Sequence, residues 1–304
     1  MNILVTGSRG VVGSYLQAEL SETNCLVTYL TRFGSPTYEG KTLKSISTIS
    51  GNEELDLTKF SIAEKVVNII NPDVVINLAA ISTPNHANKI EMWKTNTLIP
   101  LNLLTILSRL AKSVRFIQAS SIVINNYPLN IYAASKLAAE SILKSFTQVY
   151  EHISGVSLRM PAVVGLGSTH GLLRDVVDKL HKAHYNKEES IELWGNKPGS
   201  CKPYMYAGNL AMLIKEFIYN DYENEISVGS SNSISVETVA KLAMESMGIH
   251  KEIVWNSSKI AKDDQNRVYT SIDDRVKHYY PWSVTSSEDA VKLALQNIVG
   301  ECND

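Results

Sequence analysis

The sequence predicts an α/β protein built on a doubly wound, mainly parallel sheet, with a smaller C-terminal α/β subdomain. Three observations carry this. Short apolar runs alternate with longer helical patterns through the first half of the chain, which is the rhythm of βαβ units. A glycine-rich turn, Gly7, Gly10 and Gly13, closes the first apolar run and opens the first helical pattern. The length of 304 residues, at roughly 150 per domain, leaves room for two lobes.

The first strand is expected at Ile3 to Val5 and the first helix over Val12 to Leu20. Leu26 to Leu30 forms the second strand, and a polar stretch from Gly34 to Asn52 leads to Leu55-Asp56-Leu57 at the tip of a short third. Ile62, Ala63, Val66, Val67, Ile69 and Ile70 recur at helical spacing until Asn71-Pro72 ends the helix, because proline lacks a donor and restricts its neighbour. Val74 to Leu78 is the fourth strand. A long helix over Glu91 to Ala111 contains Pro100, which removes one ladder hydrogen bond. Phe116 to Ala119 is the fifth strand, Tyr132 to Tyr150 a helix, and Val156 to Arg159 the sixth strand.

Beyond Pro161 the rhythm loosens into a loop with Gly165, Gly167 and Gly171, then a helix to about His184. Strands are expected at Ile191 to Trp194 and Ile226 to Val228. Helices are expected at Asn209 to Tyr219, Val236 to Met247 and Ser287 to Val299, the last opened by a capping box, Thr285 to Glu288. The expected division is a dinucleotide-binding domain over 1–160 and a mainly substrate-binding subdomain over 161–304, with about 203–230 crossing back.

Composition narrows the function classes. Hydrophobic residues at 44% and charged residues at 20% describe a chain that folds by itself. A net charge of −2 gives no global field to gather nucleic acid or anionic lipid. No run of about 18 apolar residues appears, and Met1 to Val5 reaches Thr6-Gly7 too soon for a signal peptide. The three cysteines, Cys25, Cys201 and Cys302, are scattered, which suits neither a disulfide framework nor a zinc site. His181 and His184, one helical turn apart, lack a third ligand, so no metal is expected. The expected location is cytoplasmic, with neither nucleic acid nor membrane as partner.

The candidate chemistry lies in two motifs. In the first, Gly7, Ser8, Arg9, Gly10, Val11, Val12 and Gly13 would bring backbone N–H groups against a pyrophosphate at a helix N-terminus. In the second, Tyr132-Ala133-Ala134-Ser135-Lys136 puts a phenol and an ammonium at i and i+4 on one helix face. The ammonium is expected to lower the tyrosine pKa so that the phenol can exchange a proton with a carbonyl or alcohol.

The G-x-x-G-x-x-G spacing, the Y-x-x-x-K element and the Gln118-Ala119-Ser120-Ser121 strand end together resemble the extended short-chain dehydrogenase/reductase family, and within it the sugar-nucleotide epimerases, dehydratases and reductases. The resemblance implies a Rossmann-type fold and a nicotinamide cofactor. Asp56-Leu57 resembles the family's adenine-binding pair, although Asp56 could equally cap the following helix. Asn77-Leu78-Ala79-Ala80 resembles the segment lining the cofactor. Asn96 matches the asparagine whose helix distortion frees a carbonyl for a proton-relay water, and Met160 joins the cofactor residues. In the same comparison Tyr132 is the proton donor, Ser121 orients the reacting oxygen with Ser120 as the alternative, and Lys136 also bonds the nicotinamide ribose.

Where the family carries an acidic residue to bind a ribose 2′-OH, this chain has Thr31-Arg32, with Arg9 nearby, so NADP(H) is favoured over NAD(H). Arg159-Met160-Pro161, then Ile191 to Gly195 with Lys202 to Tyr206, and Asp273 to Trp282 resemble the family's later elements. These imply a sugar-nucleotide substrate touched by Ser82, Arg159 and Lys202. His170 could serve as an additional acid/base for epimerisation. Ile122-Val123 stand where 4,6-dehydratases carry an Asp-Glu pair, which disfavours that subclass.

The expected function is an NADP(H)-dependent reductase, or epimerase and reductase, of a keto sugar nucleotide. A 4-epimerase is the alternative, and a non-catalytic dinucleotide sensor the alternative of another class. The family resemblance further implies a homodimer through the helices near 91–111 and 132–150.

Overall fold

A parallel strand with helices on both sides is buried on both faces, and the strand Val114–Ser121 has all eight of its residues buried, the polar Gln118, Ser120 and Ser121 among them. It lies inside a sheet seen in a computed structural model that describes residues 1–31, 37–39, 55–83, 86–125, 130–168, 171–220, 222, 224–259 and 272–301. In chain order the strands and helices are β1 (Asn2–Thr6), α1 (Val11–Ser21), β2 (Leu26–Leu30), β3 (Thr37–Glu39), α2 (Phe60–Ile70), β4 (Val74–Asn77), α3 (Lys89–Leu107), β5 (Val114–Ser121), α4 (Ile131–Val149) and β6 (Ile153–Met160). They continue as β7 (Ala162–Val164), α5 (Leu172–Tyr185), β8 (Ser190–Trp194), β9 (Cys201–Lys202), β10 (Tyr204–Tyr206), α6 (Ala207–Tyr219), β11 (Asn224–Ser227), β12 (Ile234–Ser235), α7 (Val236–Met247), β13 (Glu252–Asn256), α8 (Asp274–Tyr279) and α9 (Ser287–Glu301).

Six strands run parallel in the order β11-β6-β5-β4-β1-β2, and β3 adds an antiparallel edge beside β2. The period of two sorts their side chains onto two faces. Ile3, Val5, Ile76 and Ile117 pack with Leu16, Leu210 and Phe217 from α1 and α6. Leu4, Val75 and Phe116 pack on the other face with Val66, Leu103 and Leu143 from α2, α3 and α4. The chain winds from β1 to β2 and then back across to β4, so β1 and β4 border a topological switch point, where open α/β sheets bind ligands. This is the parallel sheet that the βαβ rhythm predicts, in the Rossmann-type arrangement that the family resemblance implies.

A third core forms outside the sheet, where Leu173, Val176 and Leu180 of α5 meet Val239, Val291, Leu295 and Leu193. Around it lie three two-stranded sheets, β10 with β7, β12 with β9 and β13 with β8.

Helix ends follow local chemistry. Asn71 ends α2 in the left-handed region at φ 46°, with Pro72 behind it. Asn88 caps α3 by accepting from Glu91 N at 3.0 Å, so that helix starts earlier than Glu91, and it continues through Pro100. Two expectations need correction, and one strand has no counterpart among them. Leu55 and Leu57 are buried core residues but form no strand, and the third strand is Thr37–Glu39 instead. The α9 cap stands one residue after the expected box, with Ser286 Oγ accepting from Asp289 N at 3.0 Å, because Ser286 rather than Thr285 faces the first free N–H groups. Glu252–Asn256, whose polar flanks hide a strand paired with β8, was not expected at all.

Candidate active site

The turn between β1 and α1 is shaped by close approach of backbone. Gly7 sits at φ +70°, and a Cβ there would stand 2.7 Å from Ala79 N and from the Leu78 carbonyl carbon. A Cβ on Gly13 would stand 2.6 Å from Ser8 Cα, so neither position admits a side chain without moving main chain. Gly10 N donates to Gly7 O at 3.1 Å, and Ser8 Oγ donates to Leu30 O at 3.1 Å, which pins the turn to the end of β2. No side chain caps α1 and no acidic residue stands in its first turn, so the N–H groups of Val11, Val12 and Gly13 lead the helix toward an anion. A dinucleotide pyrophosphate fits this turn.

Around it, Arg9 is exposed and Thr31 half-buried, while Arg32 lies outside the described residues. Leu78, Ala79 and Ala80 leave β4 half-buried beside the turn. Asp56 neither caps α2 nor stands free. Its Oδ1 accepts from Thr58 N at 3.0 Å and from Thr58 Oγ1 at 2.7 Å, and the N-cap position belongs to Lys59.

A buried row of polar side chains crosses the strand ends. Thr6 Oγ1 donates to Asn77 Oδ1 at 2.6 Å, Asn77 Nδ2 donates to Gln118 Oε1 at 2.9 Å, and Gln118 Nε2 donates to Ala119 O at 2.9 Å. The parallel register sets these three side chains in line across β1, β4 and β5. Ala119 O also accepts from Lys136 Nζ at 3.0 Å, so the row ends on the second motif. Asn96 holds α3 to its surroundings by accepting from Ile81 N at 2.8 Å and donating to Ser135 Oγ at 2.9 Å. Four residues on, Pro100 has no N–H to offer the Asn96 carbonyl.

Asn130 caps α4 by accepting from Ala133 N at 2.8 Å, which fixes the helix start at Ile131, one residue before Tyr132. Tyr132 and Lys136 are both buried, with the ammonium 6.0 Å from the phenol ring centroid. Burial pushes the Tyr132 phenol up to about 12, while a hydrogen bond from Ser121 pulls the other way. This corrects the expected lowering, since before any ligand binds desolvation of the phenolate is the larger effect. Burial likewise brings Lys136 down to about 8, against the opposing pull of Glu140.

The two serines separate cleanly. Ser121 hydrogen-bonds Tyr132, and its Oγ accepts from Val123 N at 3.4 Å. Ser120 Oγ instead donates to Glu140 Oε1 at 2.5 Å. Arg159 reaches the same carboxylate, with Nε 3.0 Å from Oε1 and Nη2 2.7 Å from Oε2, and that bond raises the guanidinium pKa. The fork of Arg159, a residue expected on the substrate, is thus turned onto Glu140.

Of the other expected residues, Met160 ends β6 half-buried and Ser82 is exposed in the loop after β4. Lys202 lies in β9 opposite Ile234, and His170 falls outside the described residues. Sequence reasoning missed Glu140 as part of this site, and it placed Asn77 and Gln118 only within motifs, without the buried row they form. The signal for Glu140 is its place four residues beyond Lys136 on the same helix stripe.

The profile of the NAD dependent epimerase/dehydratase family matches residues 3–229, the span from β1 through β11 and just past it. The chain belongs to that family. It is accordingly an NAD(P)-dependent enzyme of the oxidoreductase and epimerase type with a nicotinamide dinucleotide as cofactor, and the sensor alternative is set aside. A relative, the GDP-6-deoxy-D-talose 4-dehydrogenase of Aggregatibacter actinomycetemcomitans, is 26% identical over 280 residues, covering 87% of this chain and 86% of that protein. The UDP-glucose 4-epimerase of Thermotoga maritima, solved with UDP-glucose, superposes with a TM-score of 0.82 at 19% identity, over 99% of this chain and 100% of the other. A GDP-L-fucose synthetase from Naegleria fowleri bound to NADP gives 0.75 at 18% identity, over 99% and 93%. At such identities the two structures speak for the fold. Among the described residues, no helix is long and apolar enough to cross a membrane.

Proposed function

We propose that this enzyme is an NADP(H)-dependent reductase of a keto sugar nucleotide, serving the synthesis of a deoxysugar or surface-polysaccharide precursor. The observation that carries the reading is the buried Tyr132 phenol, hydrogen-bonded to Ser121 at the end of β5. Pushed up to about 12, it stands protonated at neutral pH, which is the state a proton donor to a carbonyl must start from. Support for the substrate class comes from the 4-dehydrogenase relative, whose substrate is a GDP-linked 6-deoxysugar.

The bound cofactor would be held at the turn of Gly7, Gly10 and Gly13 and would supply the hydride. Tyr132 gives its proton to the substrate oxygen as negative charge develops there. Ser121 orients that oxygen and stabilises it by a hydrogen bond. The Lys136 ammonium stabilises the phenolate left behind and offers a donor to the nicotinamide ribose. Arg9, exposed at the turn, supports the choice of NADPH by offering a guanidinium to a 2′-phosphate.

The second reading is a 4-epimerase, favoured by the fold likeness to the Thermotoga enzyme. Such an enzyme restores its cofactor each cycle and has no need to release it, whereas a reductase must exchange it. Native mass spectrometry of the purified protein separates them. The reductase is expected largely free of dinucleotide, and tightly retained NAD(H) would favour the epimerase.

A homodimer through α3 and α4 is part of the same proposal. Ile90, Trp93 and Leu101 of α3 and Ile131 and Leu137 of α4 are exposed apolar side chains on that helix pair. A single-chain mass by light scattering would refute it.

A further inference from the structure

Glu140 is the buried carboxylate for which the proposed chemistry has no use. Its side chain is 2% exposed, and its partners are the Ser120 hydroxyl and the Arg159 guanidinium. Arg159 grips it with two nitrogens and Ser120 donates a short bond to it. Such a clamp fixes a carboxylate in one orientation, because a forked guanidinium binds both oxygens at once. On α4 the stripe Tyr132, Lys136, Glu140 then sets phenol, ammonium and carboxylate one turn apart in a row.

Lys136 donates to the neutral Ala119 O at 3.0 Å, and Glu140, one turn further along α4, raises the ammonium pKa by its charge. An ammonium buried to 3% exposure needs an anion close by to remain charged. We propose that Glu140 is a positioning residue that supplies the counter-charge for Lys136, with Arg159 and Ser120 as the clamp that keeps the carboxylate in place. The proposal deepens the reductase reading and rests on it only for the part Lys136 plays in turnover.

The groups facing this pair are few. From α4 come Tyr132 and, lining the same polar cavity as Glu140, Lys144. β5 presents Ser120 and Ser121, and β6 presents Arg159. β11 contributes Glu225, which lines that same cavity and acts electrostatically on the Arg159 guanidinium, and α3 contributes Asn96 through Ser135. Glu140 is the anion among these that acts on Lys136.

Glu140→Gln preserves the shape and removes the charge. Nitrogen-detected NMR of the lysine ammonium groups, with the Lys136 signal identified by its loss in Lys136→Arg, reads the ionisation directly. The midpoint of Lys136 is expected to move to lower pH by about one unit or more, and the alkaline limb of kcat/KM to move with it while KM for NADPH stays nearly constant. Should Glu140→Gln alone fail to fold, Glu140→Gln with Arg159→Met removes both ions and leaves no unpaired buried charge, and the shift is expected in the same direction. An unchanged Lys136 midpoint in a folded variant overturns the proposal, as does a loss of rate equal at every pH. Because the ammonium titration needs no substrate, a failed reductase assay beside a shifted midpoint would refute the functional reading and leave the role of Glu140 standing.

Discussion

The two ends of the candidate site are built from different materials. At β1 and α1 the backbone does the work: Gly7 and Gly13 remove side chains where main chain must pass within about 3 Å of main chain, and the first N–H groups of α1 carry no side-chain cap. At β5 and α4 side chains do it, with Tyr132, Lys136, Ser121 and Glu140 all buried and hydrogen-bonded or paired. The buried row Thr6, Asn77, Gln118 and Ala119 joins one end to the other. A backbone-built site should fail by steric displacement and lose binding. A side-chain site should fail by loss of a single chemical group and lose rate with binding intact.

The largest expected effect is at the side-chain end. Tyr132→Phe keeps the ring and removes the transferable proton, so turnover should fall by about 10²–10⁴-fold while NADPH affinity measured by fluorescence titration barely changes. Intact turnover on an identified keto sugar nucleotide would break the comparison at its stronger side. Next comes the backbone end. Gly13→Ala forces a Cβ to within 2.6 Å of Ser8 Cα, and displaced main chain should cost dinucleotide affinity about tenfold or more, a loss on the order of 1.4 kcal/mol, together with a lower thermal midpoint. A variant with normal affinity would show that the turn has slack the structure does not suggest.

The effect of pH sharpens the contrast further. Lys136, brought down to about 8 by burial, loses its proton as pH rises through that value, so kcat/KM should decline on the alkaline side of about pH 8 although Tyr132 stays protonated. A flat profile to pH 9 or so would remove Lys136 from the mechanism. The smallest expected effect concerns cofactor choice, because Arg9 is exposed and its charge is screened. Arg9→Ala should reduce the preference for NADPH over NADH several-fold, read from paired titrations. Preference for NADH in the native protein would reverse this assignment.

Legibility followed the same divide. Glycine spacing and the apolar rhythm exposed the turn, the order of the first six helices and strands apart from one, and Val236–Met247 to the residue, because backbone constraints restrict residue type at fixed offsets. The third strand was misplaced because Leu55 and Leu57 are buried without pairing, so burial alone mimicked a strand. Glu140 was hidden because a carboxylate on a helix reads as a solvated face until Ser120 and Arg159 arrive from β5 and β6, elements distant in sequence. Arg159 misled for the same reason, since its partner could be seen only in three dimensions. The shift of Tyr132 had the wrong sign because the i, i+4 ammonium was visible in the sequence and the depth of burial was not.

The central claim is that Tyr132 starts each cycle as a proton donor to a carbonyl. The direct measurement is the stoichiometry of NADPH oxidation with a 4-keto sugar nucleotide, followed by nicotinamide absorbance and by the mass of the sugar product. One NADPH consumed for each hydroxyl formed is the predicted result. Interconversion of sugar epimers with no net consumption of nicotinamide would contradict it.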